Sequence, residues 1–419
     1  MTATGCRSSR TGSGRSAISP TPSTSRVRSC RCAWSYGISR ARTSSAPNSG
    51  RSWKNWTGIR ARALIDGATV DRAALDRALG TVIDPEIRRP IADLGMIDSV
   101  TIDGGSVTIR IKLTIVGCPA ADRIEHDVRE AASAVAGVTE VAVDVAVMSV
   151  EERTALTERL QGARRREVQF GPDTPTRIVA ITSGKGGVGK STITANLGAA
   201  LAAKGLKVGI VDADVFGFSI PALLGVSDEK PTRVGELMLP PIGFGVKVIS
   251  IGMFLPGPAT AVSWRGPMLH RTIKQFLSEV YFDELDVLLL DLPPGTGDVA
   301  ISIGQLLPHA EVVVVTTPQT AAADVAERSG IVARKTGQRV IGVVENMAGL
   351  PQPDGTVLDL FGTGGGADAA ARLDVPLLMS IPLSLALREG GDAGDPVVLS
   401  HPDDPAARAI LALADVLVS

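Results

Sequence analysis

The run Gly184-Lys185-Gly186-Gly187-Val188-Gly189-Lys190-Ser191-Thr192 combines glycines, lysines and hydroxyls at the spacing of a phosphate-binding loop. Glycines let successive backbone N–H groups turn inward onto phosphate oxygens, and a following helix adds the positive end of its dipole. Lys190 is placed to reach the outer phosphates of a nucleoside triphosphate, and the Ser191 hydroxyl to ligate magnesium. Carboxylates stand where such a site needs them. Val208-Gly-Ile-Val211 delivers Asp212-Ala213-Asp214, and Val287-Leu-Leu-Leu290 delivers Asp291. An acidic residue ending an apolar strand beside a phosphate loop is the expected partner of the metal. Taken singly, each aspartate also suits a turn or a helix cap. Together, in one segment with the loop, they favour the metal. Pro293-Pro294-Gly295-Thr296-Gly297-Asp298 follows as a segment suited to sensing a γ-phosphate.

The elements that must position these groups follow from periodicity. Arg177-Ile-Val-Ala-Ile-Thr-Ser183 has the character of a buried parallel strand, and Ile193, Leu197 and Leu201 recur at helical spacing up to Lys204-Gly205. Across residues 176–419, further apolar runs at 208–211, 246–251, 287–290, 312–315, 340–344 and 376–381 alternate mostly with helix-length segments. That alternation specifies an α/β fold with a parallel sheet covered on both faces, whose ligands gather at the carboxyl ends of the strands. Residues 66–150 read instead as a small α+β domain. A helix over 73–82 stops at Asp84-Pro85-Glu86, and 99–102 with 106–113 flank Asp103-Gly104-Gly105 as a hairpin. A helix through Ala134 and a strand over 138–147 close it. Residues 151–175 are expected to be a linker: a charged, solvated helix, then a hinge at Gly171-Pro-Asp-Thr-Pro175.

Charge and cysteine usage exclude several classes. The net charge of −1 is unevenly divided. Residues 1–65 carry 12 Lys and Arg and no acid, leaving 31 basic against 44 acidic residues, or −13, for the rest. An acidic body is a poor fit to nucleic acid. No apolar run reaches the roughly 18 residues that a membrane helix needs. Cys6, Cys30 and Cys32 lie near the start and Cys118 follows alone, which fits a reducing cytosol and no disulfide framework. Residues 1–65 hold Trp34, Trp53 and Trp56 amid Ser, Arg, Thr and Gly. They admit three readings: a transit peptide, a nucleic-acid-binding arm, or a disordered or spurious extension from a start assigned too far upstream. The third is preferred, and Cys30-x-Cys32 then has no metal role.

Lys185, inside the loop, narrows the class. Residues 184–191 resemble the deviant phosphate loop of the MinD/ParA/nitrogenase-iron-protein class, and within it the chain resembles the Mrp family of iron–sulfur cluster carrier ATPases. The matching stretches are Asp212-Ala-Asp-Val-Phe-Gly-Phe-Ser-Ile-Pro221, Trp264-Arg-Gly-Pro-Met-Leu-His270, Asp291-Leu-Pro-Pro-Gly-Thr-Gly-Asp298, Thr316-Thr-Pro-Gln319 and Glu345-Asn-Met347. The resemblance covers about 65–419, because the smaller domain is similar to an iron–sulfur assembly domain at Asp84-Pro85-Glu86, Asp93-Leu-Gly95 and Gly117-Cys118-Pro119.

This resemblance implies a parallel-sheet P-loop NTPase of the SIMIBI, MinD-like kind preceded by a small α+β domain. It implies hydrolysis of ATP with Mg2+ by a cytoplasmic homodimer whose partners are iron–sulfur assembly factors and client apoproteins, with neither nucleic acid nor membrane. Residue by residue, Gly184, Lys185, Gly186, Gly187, Val188, Gly189, Lys190, Ser191 and Thr192 would cradle the nucleotide. Lys185 would reach the partner's nucleotide and, with Lys190, neutralise charge during hydrolysis. Ser191, Asp212 and Asp291 would hold magnesium, directly or through water. Asp214 would orient the attacking water, and Asn346 would read the adenine edge; without the resemblance, Asn346 suits a loop cap equally well.

The chain departs from the family at one place. Many Mrp-like proteins carry a Cys-x-x-Cys pair after the Glu-Asn-Met motif, and two such pairs bridge a [4Fe–4S] cluster across the dimer. Here residues 346–356 contain no cysteine, and Gln352 and Asp354 are hard or weak donors. Cys118, at a turn near a helix start, is either a favoured thiolate and an iron–sulfur ligand or a small buried hydrophobe. Two functions follow: a carrier that binds and transfers clusters, or a cluster-free nucleotide switch in their assembly. The rival from another class is a MinD/ParA-like positioning ATPase. Residues 403–419, with one Arg and three Asp, lack the basic amphipathic helix of a membrane-surface protein and are expected to pack on the domain. A metabolic ligase or kinase ranks below both.

Overall fold

The computed structural model describes residues 69–115, 118, 120–161, 169–255 and 266–418. The N-terminal extension, Cys30-x-Cys32, Gly117, Pro119, Trp264 and the second part of the expected linker helix lie outside the described residues.

Helix α1 (Arg72–Leu79) is started by the Asp71 carboxylate, which accepts from Ala73 N at 2.9 Å. It ends earlier than its apolar pattern suggests. Gly80 caps it, and the chain turns extended so that Ile83 bridges Pro90. Strands β1 (Ile97–Asp103) and β2 (Ser106–Leu113) form the expected antiparallel hairpin, with Gly104 at φ 58° in its turn. Helix α2 (Ala121–Ser133) turns Ile124, Val128 and Ala132 inward, and β3 (Glu140–Val147) joins β2 in parallel.

Helix α3 (Val150–Gln161) differs from the solvated linker expected of it. Leu156 and Leu160, one turn apart, are buried in the same core as Leu75 and Ile109, while Glu151 and Glu158 face solvent. Its described part, Val150–Gln161, is a packing helix. The entry to the expected hinge is also fastened: Phe170 sits edge-on to Phe282 at 5.7 Å, and Gln169 Nε2 donates to the Val280 carbonyl. The small core takes in Val234, Leu237, Leu239 and Tyr281 from far along the chain, and the described residues form one compact unit.

The larger part opens with β4 (Arg177–Ser183), α4 (Lys190–Ala203), β5 (Val208–Asp212) and α5 (Ile220–Leu223). A short antiparallel hairpin of β6 (Thr232–Val234) and β7 (Leu237–Leu239) precedes β8 (Ile242–Gly243), β9 (Val246–Ser250) and α6 (Gly266–Glu279). Then come β10 (Val287–Asp291), α7 (Asp298–Leu306), β11 (Glu311–Thr316), α8 (Thr320–Lys335) and β12 (Arg339–Asn346). The chain closes with the small pair β13 (Leu350–Pro351) and β14 (Val357–Leu358), then α9 (Gly365–Arg372), β15 (Leu377–Ile381), α10 (Leu385–Ala393), α11 (Val397–Ser400) and α12 (Pro405–Val418).

The main sheet runs β15-β12-β11-β4-β10-β5-β9-β8, parallel throughout except for β8 at its edge. Every residue of β5, β9 and β10 is buried, which is why these strands read as nearly unbroken Val, Ile and Leu. Helix α12 buries Ile410, Leu413 and Leu417 beside α4 and β15, so the C-terminal stretch packs on the protein as expected. Among the described residues, no helix is long and apolar enough to cross a membrane.

Candidate functional site

Strand β4 ends at Ser183, and the chain turns through 184–189 into α4. Two glycines in this turn would be strained by any side chain. A Cβ on Gly184 would lie 2.3 Å from the Val325 carbonyl carbon in α8, and one on Gly189, at φ 80°, would lie 2.3 Å from Asn346 Nδ2. The loop lines a cleft of about 700 Å³. Lys185, Gly186 and Gly187 are exposed there, and Ser191 and Thr192 are half-buried at the start of α4. The facing walls are Asp214, Phe216 and Gly217 after β5, Pro293 and Pro294 after β10, and Gly266, Leu269 and Asp298 from α6 and α7.

Lys190 is 6% exposed, with Nζ 2.6 Å from Asp291 Oδ2 and 3.1 Å from Ser191 Oγ. Ser191 Oγ donates to the same Oδ2 at 2.6 Å, and Thr194 Oγ1 donates to Oδ1 at 2.9 Å. Asp291 therefore carries one ammonium and two hydroxyls. Asp212 stands in register with it across β5 and β10. Its Oδ1 accepts from Asp214 N at 3.1 Å, and its Oδ2 from Ser219 N, Ile220 N and Ser250 Oγ at 3.1 to 3.2 Å. Complete burial, then the charge of Asp291, raises the Asp212 pKa above the usual carboxylate range, while Lys190 opposes the shift. Asp214 holds the next turn, its Oδ1 accepting from Phe216 N at 3.2 Å and Gly217 N at 2.9 Å. Hydroxyl and carboxylate oxygens gathered on an ammonium are the donor set a hard divalent cation prefers, so the residues present fit magnesium.

The structure thus brings together Gly184 to Thr192, Asp212, Asp214 and Asp291. Asn346 lies beneath the loop and is absent from the cleft lining. It is 4% exposed, and its Nδ2 donates to the Val188 carbonyl at 2.9 Å, so here its amide props the loop. Sequence reasoning missed Thr194, Ser219 and Ser250. Thr194 lies one helical turn beyond Lys190, and Ser250 ends an apolar strand as Asp212 and Asp291 do. Those positions were the available signal.

Cys118 lies apart, buried in the small core. Backbone N–H groups of Ala120 and Ala121 favour its thiolate, as a helix start should. Desolvation, and next the neighbouring Glu86 carboxylate, outweigh them and push the thiol up to about 11. Of the two readings of Cys118, a favoured thiolate or a small buried hydrophobe, its place in the small core matches the second. Nearby, Asp84 Oδ1 accepts from Glu86 N and Ile87 N at 2.9 and 2.8 Å and closes the turn after α1. Glu86 accepts from Thr232 Oγ1 at 3.3 Å and is raised to about 7 by burial first and then by Asp84.

Known proteins match in two segments. A family model described as the NUBPL iron-transfer P-loop NTPase covers residues 174–418, and one described as an iron–sulfur cluster assembly protein covers residues 72–145. The iron-sulfur cluster carrier protein of Mycobacterium tuberculosis is 55% identical over 354 residues, spanning 82% of this chain and 92% of that one. That of Synechocystis is 40% identical over 342 residues, spanning 80% and 94%. Among solved structures, a nucleotide-binding protein in complex with ADP from Archaeoglobus fulgidus is 38% identical and covers 52% of this chain and 86% of its own, with a TM-score of 0.47. A phosphate loop in its strand–loop–helix setting, a model match over more than half the chain and relatives this similar agree: the chain belongs to the NUBPL iron-transfer P-loop NTPase family.

Proposed function

We propose that this protein is an ATP-hydrolysing iron–sulfur cluster carrier that acts as a cytoplasmic homodimer and hands clusters to client apoproteins. The observation that carries the reading is the floor of the cleft, where Lys190, Ser191 and Asp291 converge beneath a glycine loop. Backbone N–H groups of the loop bind the phosphates, and Lys190 neutralises the outer ones. Magnesium would be held by Ser191 and Asp291, with Asp212 behind them through water, and supplies charge neutralisation at the phosphate oxygens when bound. Asp214, at the cleft wall, orients the attacking water. Lys185, exposed beside the loop, reaches the nucleotide of a second copy.

The carrier half of the reading is supported by the relatives that bear that name. The cluster is cargo, and its ligands are the open chemistry. Residues 66–419 contain a single cysteine, and two copies offer two buried, neutral Cys118 thiols against the four thiolates a [4Fe–4S] cluster takes. The remaining ligands then come from an assembly factor, a client or a small thiol. The burial of Cys118 also favours a second reading, a cluster-free nucleotide switch acting on another assembly factor.

Anaerobic reconstitution of the full chain with iron and sulfide decides between them, with Cys118→Ala and a Cys6/Cys30/Cys32→Ser variant alongside. A cluster that survives the triple substitution and transfers to an apo-ferredoxin supports the carrier. ATP hydrolysis with no cluster retained and no transfer supports the switch.

A further inference from the structure

Strand β9 joins the small core to the nucleotide cleft. Its first end is gripped from the small-core side: Arg88 Nη2 donates to the Gly245 carbonyl at 2.5 Å, one residue before Val246. Arg88 holds a left-handed backbone, φ 61°, which a residue with a side chain adopts only where its surroundings fix it. Flanking contacts tighten this joint. Glu86 accepts from Thr232 Oγ1, and Arg89 pairs with Asp283 at 3.4 Å. Lys247, the second residue of β9, is buried and donates to the Tyr281 and Phe282 carbonyls, and Tyr281 itself belongs to the small core. At the other end Ser250, fully buried, donates to Asp212 Oδ2 at 3.1 Å. Between these ends β9 pairs in parallel with β5 from Val208↔Val246 to Asp212↔Ser250. A strand of this length spans about 13 Å and cannot stretch, so a shift at one end is felt at the other.

We propose that Arg88 and Ser250 are positioning residues of one coupling element. The grip of the small core on β9 sets where Ser250 holds the Asp212 carboxylate, and this links docking of the small core to nucleotide turnover. The proposal rests on the reading of the cleft as an ATP-hydrolysing site. The same contacts would otherwise be a passive joint.

Steady-state ATP hydrolysis by the full chain with Mg2+ separates the two, using Arg88→Ala, Ser250→Ala, Ser250→Thr and the double alanine variant. Ser250→Ala is expected to lower kcat about tenfold with KM for ATP within about twofold, and Ser250→Thr to restore most of it. Arg88→Ala is expected to lower kcat about threefold, and the double variant to fall no further than Ser250→Ala alone, because both act through one strand. A double variant that falls about thirtyfold, the product of independent effects, overturns the coupling, as does an unchanged kcat in Arg88→Ala.

A wild-type chain that hydrolyses no ATP overturns the function reading instead. Amide hydrogen exchange then tests the coupling without turnover. With Mg2+ and ADP, protection across 234–239 and 246–250 should rise in the wild type and not in Ser250→Ala. No nucleotide-dependent change in the wild type overturns it.

Discussion

Two pairs of carboxylates share this chain and differ in what surrounds them; Asp212, Asp291 and Asp84 are buried and Glu86 is half-buried. Asp212 and Asp291 lie side by side at the ends of β5 and β10, with Lys190 on Asp291 and donors on every Asp212 oxygen. Asp84 and Glu86 lie in the small core beside Cys118, held by two backbone N–H groups and one hydroxyl, and the structure gives neither a salt bridge to a cation. Both environments raise carboxyl pKa values by desolvation. In the cleft a buried cation opposes the rise, and a divalent ion has a place beside it. In the small core the rise goes unopposed by any cation, so Glu86 binds a proton near neutrality and its neighbour Cys118 stays a thiol. The first pair is built around a buried cation, and the second without one.

Removing the cation should erase the difference most completely. Lys190→Met is expected to lower ATP hydrolysis at least about 10³-fold, because outer-phosphate charge then goes unneutralised; phosphate release measures it. Asp214→Asn should act at a single step, lowering kcat about 10²-fold while binding of a fluorescent ATP analogue is kept. Loss of binding with kcat would assign Asp214 to the ligand instead of to the water.

The small-core pair is tested through pH. The native Glu86 carboxyl holds its proton up to about 7, whereas in the unfolded chain it loses it near the ordinary glutamate value of 4.5. Native protein binds the extra proton in that window, so this group's contribution to stability falls as pH rises through it and is flat above. Glu86→Gln cannot titrate. Relative to wild type it should gain on the order of 2 kcal/mol at pH 8 and nothing at pH 4.5, read by urea unfolding at both. The smallest effect belongs to Cys118→Ala. A cavity of this size should cost about 1 kcal/mol, with ATP hydrolysis unchanged, and native Cys118 should resist iodoacetamide at pH 7.5 until the protein unfolds.

The cleft was legible because its parts are consecutive. Strand, glycine loop and helix follow one another from Arg177 to Ala203, and Asp212 and Asp291 each close an unbroken apolar run. Hydroxyl residues gave less away. Ser250 and Thr194 matter through where β9 and α4 end and turn, and a serine or threonine suits many other places. Leu156 and Leu160 were hidden among the charges of α3, since two apolar residues one turn apart resemble any solvated helix. Cys118 stayed ambiguous for a related reason. Its local signal, a helix start, is present, but its state is set by Glu86 and by a core completed from β6 and β7, more than a hundred residues away.

ATP hydrolysis at a cleft completed by a second copy is read out by phosphate release from Mg2+ and ATP, comparing the full chain with Lys185→Ala at several protein concentrations. Wild-type turnover is expected, with a specific rate that rises with concentration, and a Lys185→Ala variant should bind nucleotide but no longer hydrolyse it. Absence of wild-type turnover, or equal rates in the two proteins, would contradict it.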